Sequence, residues 1–294
     1  MIRKKSIGIH DGSFHADEVT ACALLLLYDL IDEDKIIRTR DPLILSECEY
    51  VCDVGGVYDV GIKRFDHHQS DYKGEASSAG MILDYLKMKG YLSAEEHVFL
   101  NSILIHGIDE QDNGRVFSAD GYCSFSDIIK IYNFCDEDNP SMTAFYTALH
   151  FTLDLLKRLR DKFAYMTSCK RKIQEVMNQS SMYLTFDSPL PWLDNFFSLG
   201  GDKHPALFVI FPSGGQWILR GIPPNKDRKM DVRVPFPKSW AGLLGNDLKK
   251  VCGIDGAVFC HKGRFISVWR SFKDCLQALK STLKSNGIDY GNDL

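Results

Sequence analysis

Three short strand-like runs in the first 68 residues each stop at a residue able to bind a metal. "KSIGIH" ends at His10, "EYVCD" at Asp53, and "GIKRFDHH" at the triplet Asp66, His67, His68. Each run has the length of a buried strand. Between the first two lies "VTACALLLLYDLI", apolar on all sides and too long for a strand. It reads as a buried helix, with Asp17 placed to cap its start. "KIIRTR" is a further strand. "SSAGMILDYLKMKG" reads as a capped helix closing at Gly90. "SAEEHVFLNSILIHGIDEQDNG" reads as another, closing near Gly107 and leaving Asp109 and Asp112 in the loop beyond. Strands alternating with helices predict an α/β fold with a mostly parallel sheet. Ligands in such sheets bind outside the carboxyl ends of the strands. The strand-end residues therefore share one edge.

A lone histidine or aspartate at a strand end is ordinarily a hydrogen-bonded polar residue or a turn former. The grouping is harder to dismiss, because "HDGSFHAD" adds His15 and Asp17 within eight residues of His10. Imidazoles and carboxylates together suit manganese, iron, zinc or cobalt better than calcium, which takes oxygen ligands. So many candidate ligands exceed the needs of one ion, and a shared aspartate can bridge two. Neighbouring residues on a strand face opposite ways. His67 and His68 therefore cannot serve one point alike.

The chain of 294 residues, 45 % apolar, is long enough for two ordinary domains. Its nine cysteines include no Cys-x-x-Cys pair, which predicts reduced, buried thiols and a cytoplasmic protein. The longest apolar run meets charges well short of a membrane span. The basic start "MIRKKS" lacks the apolar core of a signal peptide. No Gly-x-Ser-x-Gly motif or Walker loop offers another chemistry.

The net charge of −4 is unevenly spread. Residues 1–180 carry 20 Lys/Arg against 29 Asp/Glu, a balance of −9, whereas residues 181–294 stand at +5. An acidic half able to hold cations is followed by a basic half able to hold anions. "TAFYTALHFTLDLLKRLRDKFAYM" carries Phe145, Leu149, Leu153, Leu156, Leu159, Phe163 and Met166 at helical spacing, a packing stripe on one or two long helices. "SPLPWLDN" reads as a loop entering the second domain. "ALFVIFPSG", "QWILRGIP" and "GAVFCHKGRFISVW" then alternate like half-buried strands. The intervening "RGIPPNKDRKMDVRVPFPKSW" gathers Arg220, Lys226, Arg228, Lys229, Arg233 and Lys238 beside Phe236 and Trp240. Cations that track phosphates next to aromatics that stack bases make a single-strand-binding pattern.

The segments "HDGSFHADE", "CDVGGVYD", "RFDHHQ", "SSAG", "DEQDNG", "GQWILRGIP", "RVPFPKSWAGL" and "GIDGAVFCHKGRFI" together resemble the MYG branch of the DHH phosphoesterase superfamily. The likeness covers nearly the whole chain. It implies a DHH-type parallel-sheet domain over 1–140, a helical connector over 141–182, and a smaller α+β substrate-binding domain over 183–294. A metal cleft would lie between the domains. It also implies two divalent ions, with manganese expected. His10, His15 and Asp53 would hold one. Asp17, Asp53, His67 and either Asp109 or Asp112 would hold the other, with Asp112 favoured because "DNG" is the matching part. His68 would face the substrate phosphate and Asp66 would orient an imidazole. Arg220, Arg228, Arg233, Lys238 and His261 would bind substrate. The chain departs from the family pattern in three places. His15 stands where the superfamily often has Asp, Ala241 where the family has Arg, and Ser267-Val268 where it has Gly-Gly.

The expected activity is metal-dependent phosphodiester hydrolysis by two-metal-activated water, on single-stranded RNA or an oligonucleotide from the 3′ end. The alternatives are a small-molecule phosphoesterase of the pyrophosphatase kind, or a metal-binding scaffold without turnover. No membrane partner is expected, and self-association is left open.

Overall fold

The computed structural model describes residues 1–117, 119–134, 142–179 and 182–291. The expected boundary at 140/141 lies outside these residues. The chain divides into two compact units, Met1–Phe163 and Ala164–Leu294.

The first unit is built on a five-stranded sheet. Its elements run β1 (Arg3–Ile9), α1 (Ala16–Leu27), β2 (Ile36–Arg38), α2 (Pro42–Glu47), β3 (Cys48–Cys52), β4 (Tyr58–Asp59), β5 (Arg64–Phe65), α3 (Ser78–Met88), α4 (Ala94–Leu100), α5 (His106–Asp112) and α6 (Phe125–Tyr132). The strand order is β2-β1-β3-β5-β4. β1 pairs in parallel with β2 and β3, and β3 with β5, while β4 returns antiparallel to β5. Gly8 on β1 is a packing requirement, because a Cβ there would press into the Leu45 side chain. β1, β3 and β5 are thus parallel and adjacent, and His10, Asp53 and Asp66 each follow the last residue of one of them. This is the α/β architecture with a parallel sheet that the strand–helix alternation predicted.

α1 is buried over most of its length because Val19, Ala21, Cys22, Ala23, Leu24 and Leu25 enter the main core with Ile7, Ile9, Phe65 and Phe145. Each buried Val, Leu, Ile or Phe side chain among these contributes roughly 1.5–3 kcal/mol. The cap of α1 is His15 rather than Asp17, which is the second residue of the helix. The segment from Ala94 to Asp112 also differs from expectation. It does not close at Gly107: α4 and α5 are joined by a π-helical stretch, Asn101–Ile105, and the helix runs on to Asp112. Asp109 and Asp112 therefore lie in its last two turns, not in a loop. The chain reverses only at Asn113 and at Gly114, whose φ is +67°.

α7 (Met142–Gln179) is one continuous helix. Phe145, Leu149 and Leu156 pack into the core of the first unit, and Cys169, Ile173 and Met177 into a core of the second. Among the described residues no helix is long and apolar enough to cross a membrane.

The second unit carries β6 (Tyr183–Thr185), α8 (Trp192–Ser198), β7 (Phe208–Ser213), β8 (Gln216–Gly221), α9 (Gly245–Cys252), β9 (Ala257–Cys260), β10 (Ile266–Trp269) and α10 (Phe272–Ser285). Its sheet has the order β6-β7-β8-β10-β9, antiparallel except for β6 against β7. The β7–β8 hairpin turns on Gly214 and Gly215, both at positive φ, the backbone that tight hairpins demand. The "PWLDN" stretch expected as loop opens α8 instead, and Trp192, Phe196 and Phe197 enter the core.

Candidate metal centre

The carboxyl edge of the first sheet gathers a compact set of ligand atoms. His10, His15, Glu18 and Asp53 each offer an atom within 4.8 Å of the others. Asp53, His67 and His68 form a second such group, and His15, Asp17 and Asp112 a third. Asp53 is common to the first two and divides its oxygens between them. Its Oδ2 lies 3.2 Å from His10 Nε2, and its Oδ1 lies 3.3 Å from His67 Nε2 and 3.5 Å from His68 Nδ1.

The backbone sets this up. Asp53 leaves β3 in the left-handed region, φ +58°, a conformation costing a non-glycine residue roughly 1 kcal/mol or more. Gly55 and Gly56 follow, also at positive φ. The Asp53 N–H still donates to Phe65 O, 3.0 Å away, so the turn begins without giving up its link to β5. The loop carrying His15 is pinned from another element. The Asn133 side chain accepts from Phe14 N at 2.9 Å and donates to Phe14 O at 2.5 Å.

His10 directs Nδ1 at Asp11 O, 2.8 Å away, which leaves Nε2 facing Asp53 and, at 2.9 Å, Glu18 Oε1. His67 Nε2 lies 3.1 Å from Asp112 Oδ2 and 3.9 Å from Asp17 Oδ2. The adjacent His68 is exposed and differently held. Its Nδ1 is 2.8 Å from Asp66 Oδ1, and Asp66 Oδ2 accepts from Gly56 N at 2.6 Å. Burial takes Asp66 out of solvent and commits it to His68 and the glycine turn.

The electrostatics are those of a buried acidic cluster. Burial, reinforced by the charges of Asp53, Glu18 and Asp112, holds the Asp17 carboxyl well above its ordinary range. Burial alone would lower the His10 and His67 imidazoles, yet the surrounding carboxylates lift both to about 10. Burial works against ionisation of Asp53 too, but the imidazoles of His10 and His67 facing its two oxygens hold it far below the usual carboxylate range. Both Asp17 oxygens, Asp53 Oδ1 and His67 Nε2 are buried and make no well-formed hydrogen bond. An unsatisfied buried polar atom costs about 1–3 kcal/mol. These atoms belong to the second and third ligand groups, where divalent cations would satisfy them.

The sequence left Asp109 and Asp112 as alternatives, and the geometry separates them. Asp109 is outside all three groups. Its Oδ1 accepts from Ser77 N at 3.0 Å, Ser77 Oγ at 2.6 Å and Gly80 N at 3.2 Å, so it anchors the start of α3. Gly80 is required there, because a Cβ would collide with the Asp109 carboxylate. Glu18 was missed by sequence reasoning. The signal that could have found it was the capping-box spacing from His15, which brings a residue at N3 back to the helix start.

In the second unit, several expected substrate contacts have other occupations. Arg233 donates to the carbonyls of Pro223, His204, Ala206 and Gly201 at 2.5–3.2 Å and stacks over Phe196. Its guanidinium is spent on holding the chain. Phe236 and Trp240 are buried in the core with Trp269 and cannot present faces to bases. Arg228 pairs with Asp231 at 2.6 Å on the surface. Lys238 is exposed. Arg220 is partly buried with its guanidinium over Trp192, and His261 Nδ1 accepts from Gly263 N in the β9–β10 turn.

Comparison with known proteins bears on nearly the whole chain. It is 64 % identical to a MYG1 protein of Chlamydia pneumoniae over 97 % of this chain and 98 % of that one. It is 61 % identical to the MYG1 protein of Chlamydia muridarum over the same shares. A human protein named MYG1 exonuclease is 27 % identical over 94 % of this chain and 85 % of its own length. Among solved structures, RecJ of Thermus thermophilus in complex with Mn2+ matches with a TM-score of 0.29 and 12 % identity, over 96 % of this chain and 52 % of RecJ. That likeness is too loose to carry an argument. The family model MYG1_exonuc, described as "Uncharacterised protein family (UPF0160)", matches residues 6–283. Since that span covers nearly the whole chain and every residue of the cluster at the carboxyl edge, the chain belongs to the MYG1 family.

Proposed function

We propose that this chain is a metal-dependent phosphodiester hydrolase acting as an exonuclease on single-stranded nucleic acid, RNA foremost, with two divalent ions, manganese the preferred metal. The observation that carries this reading is the division of Asp53 between two facing sets of ligand atoms, with buried polar atoms left unsatisfied around it. The exonuclease name of the human relative supports the choice of substrate class. The bound ions would supply an activated water and neutralise charge on the phosphoryl oxygens.

The chain's own residues have separable tasks. His10, His15 and Asp53 hold one ion. Asp17, Asp53, His67 and Asp112 hold the other. Asp66 fixes the ring of His68 through Nδ1, so the exposed imidazole offers Nε2 outward, where it can donate to a phosphate oxygen. Holding the ring beforehand lowers the ordering cost at the moment of reaction. Exposed cations of the second unit, Lys238 among them, together with the partly buried Arg220, would track the phosphate chain. Residues 1–140, 141–182 and 183–294 would act as catalytic domain, connector and substrate-binding domain.

The test is turnover by the purified full chain with manganese on end-labelled single-stranded RNA, single-stranded DNA, a dinucleotide and pyrophosphate. Stepwise shortening of RNA from its 3′ end is expected. Hydrolysis of pyrophosphate alone would replace this reading with the small-phosphate one. Metal binding without turnover on any of the four would leave a scaffold.

A further inference from the structure

Glu18 is completely buried at the third position of α1, beside the sheet edge. The capping box accounts for part of its placement. Its oxygens accept from His15 N at 2.8 and 2.9 Å. Capping does not account for the contact of Glu18 Oε1 with His10 Nε2 at 2.9 Å, nor for burying a carboxylate that a surface cap would leave in water. The other nitrogen of His10 is already committed to Asp11 O, so Nε2 is the one free to bind a cation. Arg38 lies near enough to feel the Glu18 charge, and its guanidinium donates to Gly12 O and lies over Phe14 and Phe145.

A charge count gives the placement its meaning. His10, His15 and Asp53 alone would set two neutral imidazoles and one carboxylate against a divalent ion, and Asp53 is shared with the neighbouring group. That subsite would be short of negative charge. Glu18 lies within 4.8 Å of all three ligand atoms and brings a second carboxylate. Two imidazoles and two carboxylates make a four-ligand set suited to manganese, iron, zinc or cobalt. Resting on the two-ion reading above, we propose that Glu18 is itself a ligand of the His10-side ion, supplying the charge that His15 cannot, while one oxygen keeps the His15 backbone in place.

Glu18→Gln separates the two tasks. The amide oxygen can still accept from His15 N, so the cap survives, but the charge is gone. Manganese titration of the full chain by calorimetry, with bound ions counted by electron paramagnetic resonance, should find two ions on the wild type. In Glu18→Gln one of the two should weaken by about tenfold or more, by analogy with the loss seen when even an outer partner of a ligand is removed. The other should hold, and the metal-free protein should still fold, because the cap survives. Two ions bound with wild-type affinity would overturn the assignment and leave the two-ion reading intact. A wild type that binds no divalent ion would overturn both. Should Glu18→Gln fail to fold, anomalous scattering from manganese-soaked wild-type crystals decides the matter. An ion at bonding distance from a Glu18 oxygen, about 2–2.5 Å, supports the assignment. An ion bound by His10 and Asp53 with Glu18 beyond that distance refutes it.

Discussion

Asp109 and Asp112 are one helical turn apart, and replacing each with alanine should produce opposite phenotypes. In Asp109→Ala, the donors Ser77 N, Ser77 Oγ and Gly80 N lose their shared acceptor. All three belong to buried residues. The Ser77 hydroxyl can rotate to another acceptor, but the two backbone N–H groups cannot. At about 1–3 kcal/mol for each stranded donor, less what entering water recovers, the loss is about 3 kcal/mol. A unit of this size loses roughly 2–4 °C of melting temperature per kcal/mol, so a fall of roughly 6–12 °C is expected. Manganese stoichiometry should stay at the wild-type value. Asp112→Ala should do the reverse. It removes the carboxylate 3.1 Å from His67 Nε2 but also relieves repulsion on Asp17, so the metal-free protein should lose far less melting temperature than Asp109→Ala does. Its manganese affinity should drop by about tenfold or more. Calorimetric melting of metal-free protein and manganese titration of both variants form the assay. If Asp109→Ala loses metal while keeping its melting temperature, the division of labour drawn from the hydrogen bonds is wrong.

Three further outcomes are expected. Asp53→Asn should lose affinity for both ions, since one oxygen faces His10 and the other His67; two ions still bound would remove its sharing role. Arg233→Ala should lower the melting temperature by several degrees, because four carbonyls lose their donor, while leaving the salt dependence of RNA binding unchanged; a flatter salt slope would return Arg233 to the phosphate contacts. Metal-free protein should lose stability as pH rises. The His10 and His67 imidazoles titrate near 10 in the folded chain against 6.5 when unperturbed, so their contribution is complete below about 6.5 and gone above about 10; a melting temperature flat from pH 6.5 to 10 would contradict this.

The sequence by itself carried the α/β architecture and the positions of the strand-end residues. Short apolar runs, helix-length runs and glycine stops are local signals, and right-handed crossovers leave few ways to join parallel strands. Once β1, β3 and β5 are parallel neighbours, His10, Asp53 and Asp66-His67-His68 must meet at one edge. Period-two alternation does not reach His67 and His68, because β5 stops at Phe65 and both imidazoles come within 3.5 Å of Asp53 Oδ1; the carboxylate of Asp66, which holds His68, is what sets them apart. What local pattern could not carry was which distant group each polar side chain meets. Asp109 and Asp112 are equivalent acids to a sequence reader. Only the arrival of the α3 N-terminus, 32 residues earlier in the chain, commits Asp109 to capping. Glu18 looked like part of a helix start until the fold brought His10 against it. Arg233, Phe236 and Trp240 read as a surface for phosphates and bases, because composition gives residue type and not depth. The tertiary structure buried the aromatics and filled the guanidinium with carbonyls from Gly201 to Pro223. Periodicity fixes which face of an element turns inward. Only packing decides which of the groups on that face find partners in the protein and which are left waiting for an ion.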